Sequence, residues 1–299
     1  MPSLQSYVFR AGTRIISRRL DPTLPVPKQR ALASATAFPG APLPRGVTSQ
    51  PAQADGVAVE WITPPKVGSP SVMLYLHGGG WVLGWYNSHR WLVAHLCQAA
   101  ACRALAVDYR LAPEAPFPAA LEDCLMAYRW LLKNGTPANQ IVIAGDSAGG
   151  NLTLTTMMAL RDAGEPLPAG AVCISPMIDL ACTGESFNTR RDALLTPEQA
   201  TTWARLYFGE QDPHLPLISP YYGDPSRLPP LLIHAGEDEI LLSDAQRLAD
   251  RASAAGVDAR LVIWPGMWHV WHAYTPYLPE ARQAVEAIGA FVRTRVGSA

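Results

Sequence analysis

The sequence predicts an α/β protein with a mostly parallel, doubly wound sheet. From about residue 57 onward, short apolar runs of strand length alternate with segments of helical length. The runs are apolar throughout, which indicates strands buried on both faces of a sheet. Right-handed crossovers between such strands place helices on both faces. Ligands of these sheets bind beyond the carboxyl ends of the strands.

The predicted strands are short and rich in apolar residues. They cover residues 57–62, 72–76, 104–107, 141–144, 171–175, 231–234 and 259–263. Helices are predicted between and after them, near residues 88–100, 119–132, 148–163, 241–255 and 277–295. Two segments, 1–45 and 183–218, interrupt this alternation. We expect them to form a helical cap over the site, and residues 46–182 and 219–299 to form the catalytic core.

Composition argues against several classes of protein. Apolar residues make up 48% of the chain and charged residues 16%, which is typical of a folded domain with a sizeable core. The net charge of −1 gives no global indication of a nucleic-acid partner. No apolar run approaches the roughly 20 residues of a membrane span. The chain has five cysteines, an odd number, and their spacing matches no disulfide framework. This predicts reduced thiols and a cytoplasmic location.

The first 20 residues are rich in arginine and contain no Asp or Glu. These arginines fall where a signal peptide would be apolar, so we expect no signal peptide; an organellar transit peptide is the alternative. Five apolar residues there share one helical face, and we expect this face to pack on the protein itself. They are Leu4, Tyr7, Val8, Ala11 and Ile15.

The segment Gly145 to Gly149 fits the pattern G-x-S-x-G between a predicted strand and a predicted helix. In that setting the pattern forms a sharp turn that exposes a serine hydroxyl, here that of Ser147. The N–H of Ala148, at the start of the helix, can then face an oxyanion. A glycine-rich turn with a capping serine is the alternative.

The segment His77-Gly78-Gly79-Gly80 follows another predicted strand. Glycines expose backbone N–H groups without side-chain obstruction, which suits an oxyanion hole. A flexible loop or a phosphate-binding loop is the alternative. We expect His77 to orient this loop rather than to act as a base.

The catalytic base and acid are expected late in the chain, because the usual order in this arrangement is Ser, acid, His. His269 and His272 follow the last predicted strand and are the candidate bases, whereas the other histidines are interpreted as structural. Three carboxylates follow the preceding strand, at Glu237, Asp238 and Glu239.

In combination these motifs resemble the hormone-sensitive-lipase-like esterases, or family IV, of the α/β-hydrolase superfamily. The resemblance rests on HGGG at 77–80, DYRLAPE at 108–114 and GDSAGGN at 145–151, and runs from about residue 57 to the C-terminus. It implies Gly79, Gly80 and Ala148 as oxyanion donors and His269 as base. It also implies a small-molecule ester substrate with a short to medium acyl chain and a mobile cap. No metal or cofactor is expected, because the sequence has no HExxH motif, no clustered Cys and His residues and no phosphate-binding P-loop.

The acid departs from the family pattern, which is similar to Gly-x-x-Asp-Pro-Leu. Setting Gly236 and Leu241 in register places the Asp position on Glu239 and replaces the proline by Ile240. We therefore predict a Ser147–His269–Glu239 triad. Asp238 is the alternative acid, and Glu237 is less favoured because it is nearer the strand end.

The motifs predict a serine carboxylesterase that works through an acyl-enzyme intermediate. A hormone receptor of the same family, which binds its ligand without turnover, is the competing class, but it lacks a working base and this chain has His269. Amidase, lactonase and acyltransferase activity on the same triad remain open. Trp81 and Trp85 are expected either to narrow the acyl pocket or to pack the cap on the core. The family resemblance also suggests a homodimer that pairs at the sheet edge.

Overall fold

The structure, a computed structural model, describes residues 2–36 and 42–296. Within these residues, eight strands form one sheet in the spatial order 1-2-4-3-5-6-7-8. The strands are β1 (Thr48–Ala54), β2 (Val57–Thr63), β3 (Val72–Leu76), β4 (Arg103–Val107), β5 (Ile141–Asp146), β6 (Gly170–Ile174), β7 (Leu231–Gly236) and β8 (Ala259–Trp264). The pairs β1–β2 and β2–β4 are antiparallel and the others are parallel. The predicted sheet is confirmed.

Helices connect the strands as the alternating pattern predicts. In the described residues they are α1 (Leu4–Ser17), α2 (Val26–Thr36), α3 (Asn87–Ala100), α4 (Ala119–Lys133), α5 (Ala148–Asp162), α6 (Ser186–Thr189), α7 (Pro197–Phe208), α8 (Leu242–Ala254) and α9 (Pro279–Val296). None of them is long and apolar enough to cross a membrane.

The core has two layers, one on each face of the sheet, and β3 shows how they arise. Alternate side chains of a strand point to opposite faces. Leu74 and Leu76 join residues of α4, α5 and α8 in one buried cluster. Met73 and Tyr75 join residues of α3 and α9 in the other. Because both faces are covered, β3 is buried along its whole length, as its uninterrupted apolar run predicts.

Strand β1 was not predicted. Its sequence lacks an alternation of apolar and polar residues, and it contains Pro51, which removes one backbone donor. It lies at the edge of the sheet and pairs with β2 alone, mostly in contact with solvent. An edge strand buries little apolar surface, so its sequence carries almost no periodic signal.

Helix α1 forms where its periodicity predicts, but the expectation that its apolar face packs on the protein is wrong. The face turned to the protein carries Ser6, Thr13 and Ser17, which are all buried. Thr13 Oγ1 lies 2.7 Å from the hydroxyl of Tyr274, and Ser17 Oγ donates to the carbonyl of Leu194 at 2.6 Å. These hydrogen bonds orient the helix with its apolar face outward.

The two segments predicted as a cap contain α1 and α2 in the first and α6 and α7 in the second. Residues 1 and 37–41 of the first segment, and residues 297–299 of the predicted core, lie outside the described residues. The second segment leaves the sheet after β6 and returns at β7, so it emerges at the carboxyl end of β6.

Candidate active site

Ser147 occupies a strained turn between β5 and α5, with φ of +54° and ψ of −117°. Gly145 and Gly149, on either side of Ser147, leave the space that the turn needs. A Cβ atom at Gly145 would lie 2.3 Å from the carbonyl oxygen of Gly149, and one at Gly149 would lie 1.8 Å from that of Leu76. Only glycine fits these close approaches, and a positive φ at a non-glycine residue is the backbone strain that often marks functional sites.

The structure brings Ser147, His269 and Glu239 together. Nε2 of His269 lies 2.8 Å from Oγ of Ser147. Nδ1 of the same ring lies 3.1 Å from Oε2 of Glu239. The imidazole is therefore hydrogen-bonded to a hydroxyl on one side and to a carboxylate on the other, which is the geometry that general-base activation of a serine needs.

The carboxylate of Glu239 is held in place from behind. Oε1 accepts hydrogen bonds from the backbone N–H of Gly236 at 2.5 Å and from Oγ of Ser175 at 2.7 Å. Ser175 Oγ also accepts from the N–H of Val270, next to the histidine. The sequence did not predict a role for Ser175, yet its side chain connects Glu239 to the loop that carries His269.

The carboxylates of Asp238 and Glu237 do not contact His269 and have other partners. Asp238 forms an ion pair with Arg10 of α1 at 2.5 Å. Oε2 of Glu237 accepts from the N–H of Gly266 at 2.9 Å. Only Glu239, which is completely buried, reaches the imidazole of His269.

The other candidate base, His272, does not reach Ser147. Its Nε2 lies 3.3 Å from Nδ1 of His234, and both rings are fully buried. Burial lowers the pKa of each, that of His234 to about 3. This neutral pair is a packed element of the core behind the site.

Asp192 lies beside Glu239 and His269 and was not predicted from the sequence. Its two carboxylate oxygens are 3.2 and 3.3 Å from the backbone nitrogen of His269, and one of them accepts from Leu194 N–H at 2.9 Å. Desolvation raises the pKa of Asp192 to about 6. The residue belongs to the insertion between β6 and β7, where the sequence has no motif that would have singled it out.

Opposing influences set the protonation of His269. Burial by itself would lower the pKa of its imidazole. The hydrogen bond and charge of Glu239, together with the charges of Asp192 and Asp146, outweigh burial and raise that pKa. The site therefore stabilises the imidazolium that a base forms on taking up a proton.

The predicted oxyanion donors lie on two sides of Ser147. Gly79 and Gly80 have positive φ angles of +106° and +60°, which other residues rarely adopt. Ala148 is the first residue of α5, so its N–H has no acceptor within the helix. In the described part of the chain, nothing accepts a hydrogen bond from these three N–H groups.

The glycine loop is held by buried polar contacts. Oδ1 of Asp146 accepts from the N–H of Gly78 at 3.1 Å and from the hydroxyl of Tyr75 at 2.6 Å. Nδ1 of His77 donates to the Gly78 carbonyl at 2.7 Å, and its ring stacks on Tyr109. Burial lowers the pKa of His77 to about 3, so it is a neutral orienting group, in line with the expectation.

A cavity of about 220 Å³ opens over Ser147. It is lined by Ser147, His269 and the glycine loop. Segments 1–45 and 183–218 contribute further lining residues, among them Ile16, Leu20, Leu194, Leu195 and Trp203. The lining side chains are mainly apolar, which suits an acyl chain more than a charged substrate.

The two tryptophans near the glycine loop have different positions. Trp81 lines the cavity and also stacks on Tyr207 of α7 at 4.5 Å. Trp85 does not line the cavity, and its indole N–H donates to Glu60 at 2.7 Å. Trp203, which sequence analysis did not single out, lies against the glycine loop: a Cβ at Gly80 would be 2.8 Å from it.

One group of side chains in the described residues has the spacing of a metal site. Ligand atoms of Asp192, Glu239 and His269 lie within 4.8 Å of one another. Both ring nitrogens of His269 already have hydrogen-bonding partners, Ser147 and Glu239, so neither is free to bind an ion in this arrangement. The expectation that no metal or cofactor takes part stays a prediction.

Comparisons with known proteins agree with this geometry. The alpha/beta hydrolase fold family matches residues 73–273. An acetyl-hydrolase of Streptomyces hygroscopicus is 49% identical over 240 residues, which are 80% of each chain. An esterase of Acinetobacter venetianus is 35% identical over 226 residues, covering 75% of this chain and 74% of that protein.

Among solved structures, an esterase from the bacterial hormone-sensitive lipase family is 44% identical, with a TM-score of 0.95. The match covers 99% of this chain and all of that one. The chain therefore belongs to the alpha/beta hydrolase fold family, and within it to the carboxylic ester hydrolases related to hormone-sensitive lipase.

Proposed function

We propose that the protein hydrolyses carboxylic esters with short to medium acyl chains, through an acyl-enzyme formed on Ser147. The observation that carries this proposal is the position of His269, with one ring nitrogen 2.8 Å from the serine oxygen and the other 3.1 Å from Glu239. A base held between a hydroxyl and a buried carboxylate can accept a proton and then return it.

In the first half of the reaction, Ser147 Oγ attacks the ester carbonyl carbon while Nε2 of His269 takes the hydroxyl proton. The carbonyl oxygen becomes an oxyanion. When this intermediate collapses, the carbon–oxygen bond to the alcohol breaks and His269 gives its proton to the leaving oxygen. In the second half, water attacks the acyl carbon, His269 takes the water proton, and the acid is released as Ser147 regains its proton.

We assign stabilisation of the oxyanion to the N–H groups of Gly79, Gly80 and Ala148. The Ala148 N–H adds the positive end of the α5 dipole, which favours negative charge at that point. The glycine loop is held from behind by Asp146 and Tyr75, so its donors need not reorganise during the reaction.

The preference for shorter acyl chains is inferred from the cavity. Its volume of about 220 Å³ lies below the range of roughly 300–1,000 Å³ that is typical of pockets for larger ligands. Bulky indoles of Trp81 and Trp203 occupy part of its wall.

We also propose that residues 1–45 and 183–218 act as a cap on a core of residues 46–182 and 219–299. Both segments supply cavity-lining residues, such as Leu20 and Trp203. They are joined by hydrogen bonds from Gln199 of α7 to the Ser17 and Leu20 carbonyls, so the two segments can work as one unit.

Two further proposals concern the surroundings of the protein. Its five cysteines are free thiols, which favours a reducing compartment such as the cytoplasm.

Strand β8 is an edge strand with Ile263 exposed, a feature that favours pairing of two copies. Light scattering at micromolar concentration checks the pairing, and a monomeric mass contradicts it.

A panel of soluble esters that varies the acyl and alcohol groups tests the proposed function. We expect turnover of short-chain p-nitrophenyl esters, with a first-cycle burst of p-nitrophenol for those esters whose deacylation is slower than their acylation. Failure of the folded protein to hydrolyse any ester in the panel would contradict it.

A further inference from the structure

Helix α1 presents an apolar face to solvent. The outward residues Leu4, Val8, Ile15 and Tyr7 have 83%, 71%, 59% and 58% of their surfaces exposed, and Ala11 lies among them. We call these five residues the α1 stripe. A helix on the surface of a globular protein normally turns such a stripe toward the core, so this one needs another partner.

The orientation of α1 is specified by contacts on its opposite face. Thr13 and Ser17 form hydrogen bonds with Tyr274 and Leu194, and Arg10 forms an ion pair with Asp238. Ser3 caps the first turn and is itself bound to Glu280. Because polar groups at both ends and in the middle hold the helix, the α1 stripe is presented to solvent by a fixed arrangement.

Positive charge flanks the α1 stripe. At 100° per residue, Arg14 falls at one edge of the stripe, and Arg18 and Arg19 follow directly after the last residue of the helix. The first 20 residues carry no acidic side chain, and within the described part of the chain none of these three arginines pairs with a carboxylate. An apolar face bordered by unpaired cations is complementary to a lipid surface with anionic headgroups.

The same segment reaches the cavity. Ile16, the neighbour of the exposed Ile15, and Leu20, just beyond the helix, both line the space above Ser147. A surface that receives the α1 stripe would therefore lie within a few residues of the cavity wall.

We propose that the α1 stripe is a docking surface for an anionic lipid membrane, with the helix lying in the plane of the interface and its arginines at the headgroups. A second copy of the chain is a poorer occupant, because two stripes packed around a twofold axis would bring flanking arginines together. The helix is embedded from one side and spans nothing.

The test compares vesicles of phosphatidylcholine with vesicles that also contain phosphatidylglycerol, using sedimentation of the full chain. We expect binding to the anionic vesicles that weakens as salt is added, since exposed charges are screened. The variant Leu4→Asp/Val8→Asp/Ile15→Asp should reduce this binding by roughly tenfold or more, because charges replace the inserted side chains. The matched control, Val67→Asp/Met126→Asp/Leu215→Asp, changes three exposed apolar residues elsewhere, adds the same charge and should bind like the wild type.

Hydrolysis of a soluble acetate ester by both variants should match the wild type, which shows that they are folded. Equal binding of the wild type to both kinds of vesicle, or undiminished binding by the α1 variant, overturns the proposal. So does a wild-type dimer that the α1 variant converts to a monomer, which would identify the stripe as a contact between copies. Loss of ester hydrolysis in the wild type itself would instead contradict the proposed function and leave the vesicle result to be judged separately.

Discussion

The carboxylate of Asp192 accepts a hydrogen bond from the backbone N–H of His269, with its two oxygens 3.2 and 3.3 Å from the nitrogen. Asp192 belongs to the insertion between β6 and β7, whereas His269 follows β8. The contact therefore ties the proposed cap to the proposed base. Its charge also contributes to the raised pKa of the imidazole.

Replacing this charge should change the pH dependence of catalysis. In Asp192→Asn an acceptor for the His269 N–H remains, but a charge that raises the pKa of His269 is lost. That pKa falls, so the acidic limb of the kcat/KM profile should move to lower pH, because the base stays neutral under more acidic conditions. Asp192→Ala should add a loss of stability of about 1–3 kcal/mol, since the amide loses its partner. An acidic limb that does not move in Asp192→Asn contradicts this positioning role.

Two adjacent carboxylates should differ sharply in their effect on turnover. Glu239→Gln removes the charge beside Nδ1 of His269 and permits the wrong tautomer, so kcat should fall by roughly 10⁴-fold. Asp238→Asn is the matched control. It affects an ion pair with Arg10 at the surface, so kcat should change by no more than a few-fold. Steady-state kinetics of the two folded variants decides the matter, and a reversal of the two effects assigns the acid to Asp238.

The acyl-chain preference should depend on Trp81 and not on Trp85. We expect kcat/KM for p-nitrophenyl esters to be greatest at short chains, and Trp81→Phe to move the maximum toward longer ones by removing part of the cavity wall. Trp85→Phe loses a hydrogen bond to Glu60 outside the cavity, so it should lower stability by about 1–3 kcal/mol without moving the maximum. A wild-type maximum at long chains, or the same maximum in Trp81→Phe, is evidence against this account.

The position of Ser147 was predictable because its motif directly follows a strand with a strong apolar signal. His269 and His272 both follow another such strand, and the choice of His269 rested on the family resemblance. Strand ends in a parallel sheet converge at one edge, so local motifs there imply contact in space. Strand ends also placed three candidate carboxylates nearby, and the resemblance to the family pattern, set in register on Gly236 and Leu241, selected Glu239 among them. The structure places the side chain of Glu239, and not that of Asp238, against the imidazole.

Asp192 and Trp203 could not be found in this way. They lie in the insertion after β6, where neither apolar periodicity nor a motif ties a residue to the sheet. The outward orientation of the apolar face of α1 could not be predicted from the sequence either, because it depends on hydrogen bonds to Tyr274 and Leu194, which are distant along the chain. Periodicity identifies an apolar face, but which face meets the protein is decided by tertiary contacts.

The acyl-enzyme on Ser147 is tested most directly by mass spectrometry of protein quenched during turnover of a short-chain p-nitrophenyl ester. The account predicts one added acyl group on the peptide that contains Ser147. In Ser147→Ala the adduct should be absent and kcat lower by at least about 10⁴-fold, with an unchanged fold. Near-normal turnover by folded Ser147→Ala, or an acyl group on another residue, would contradict it.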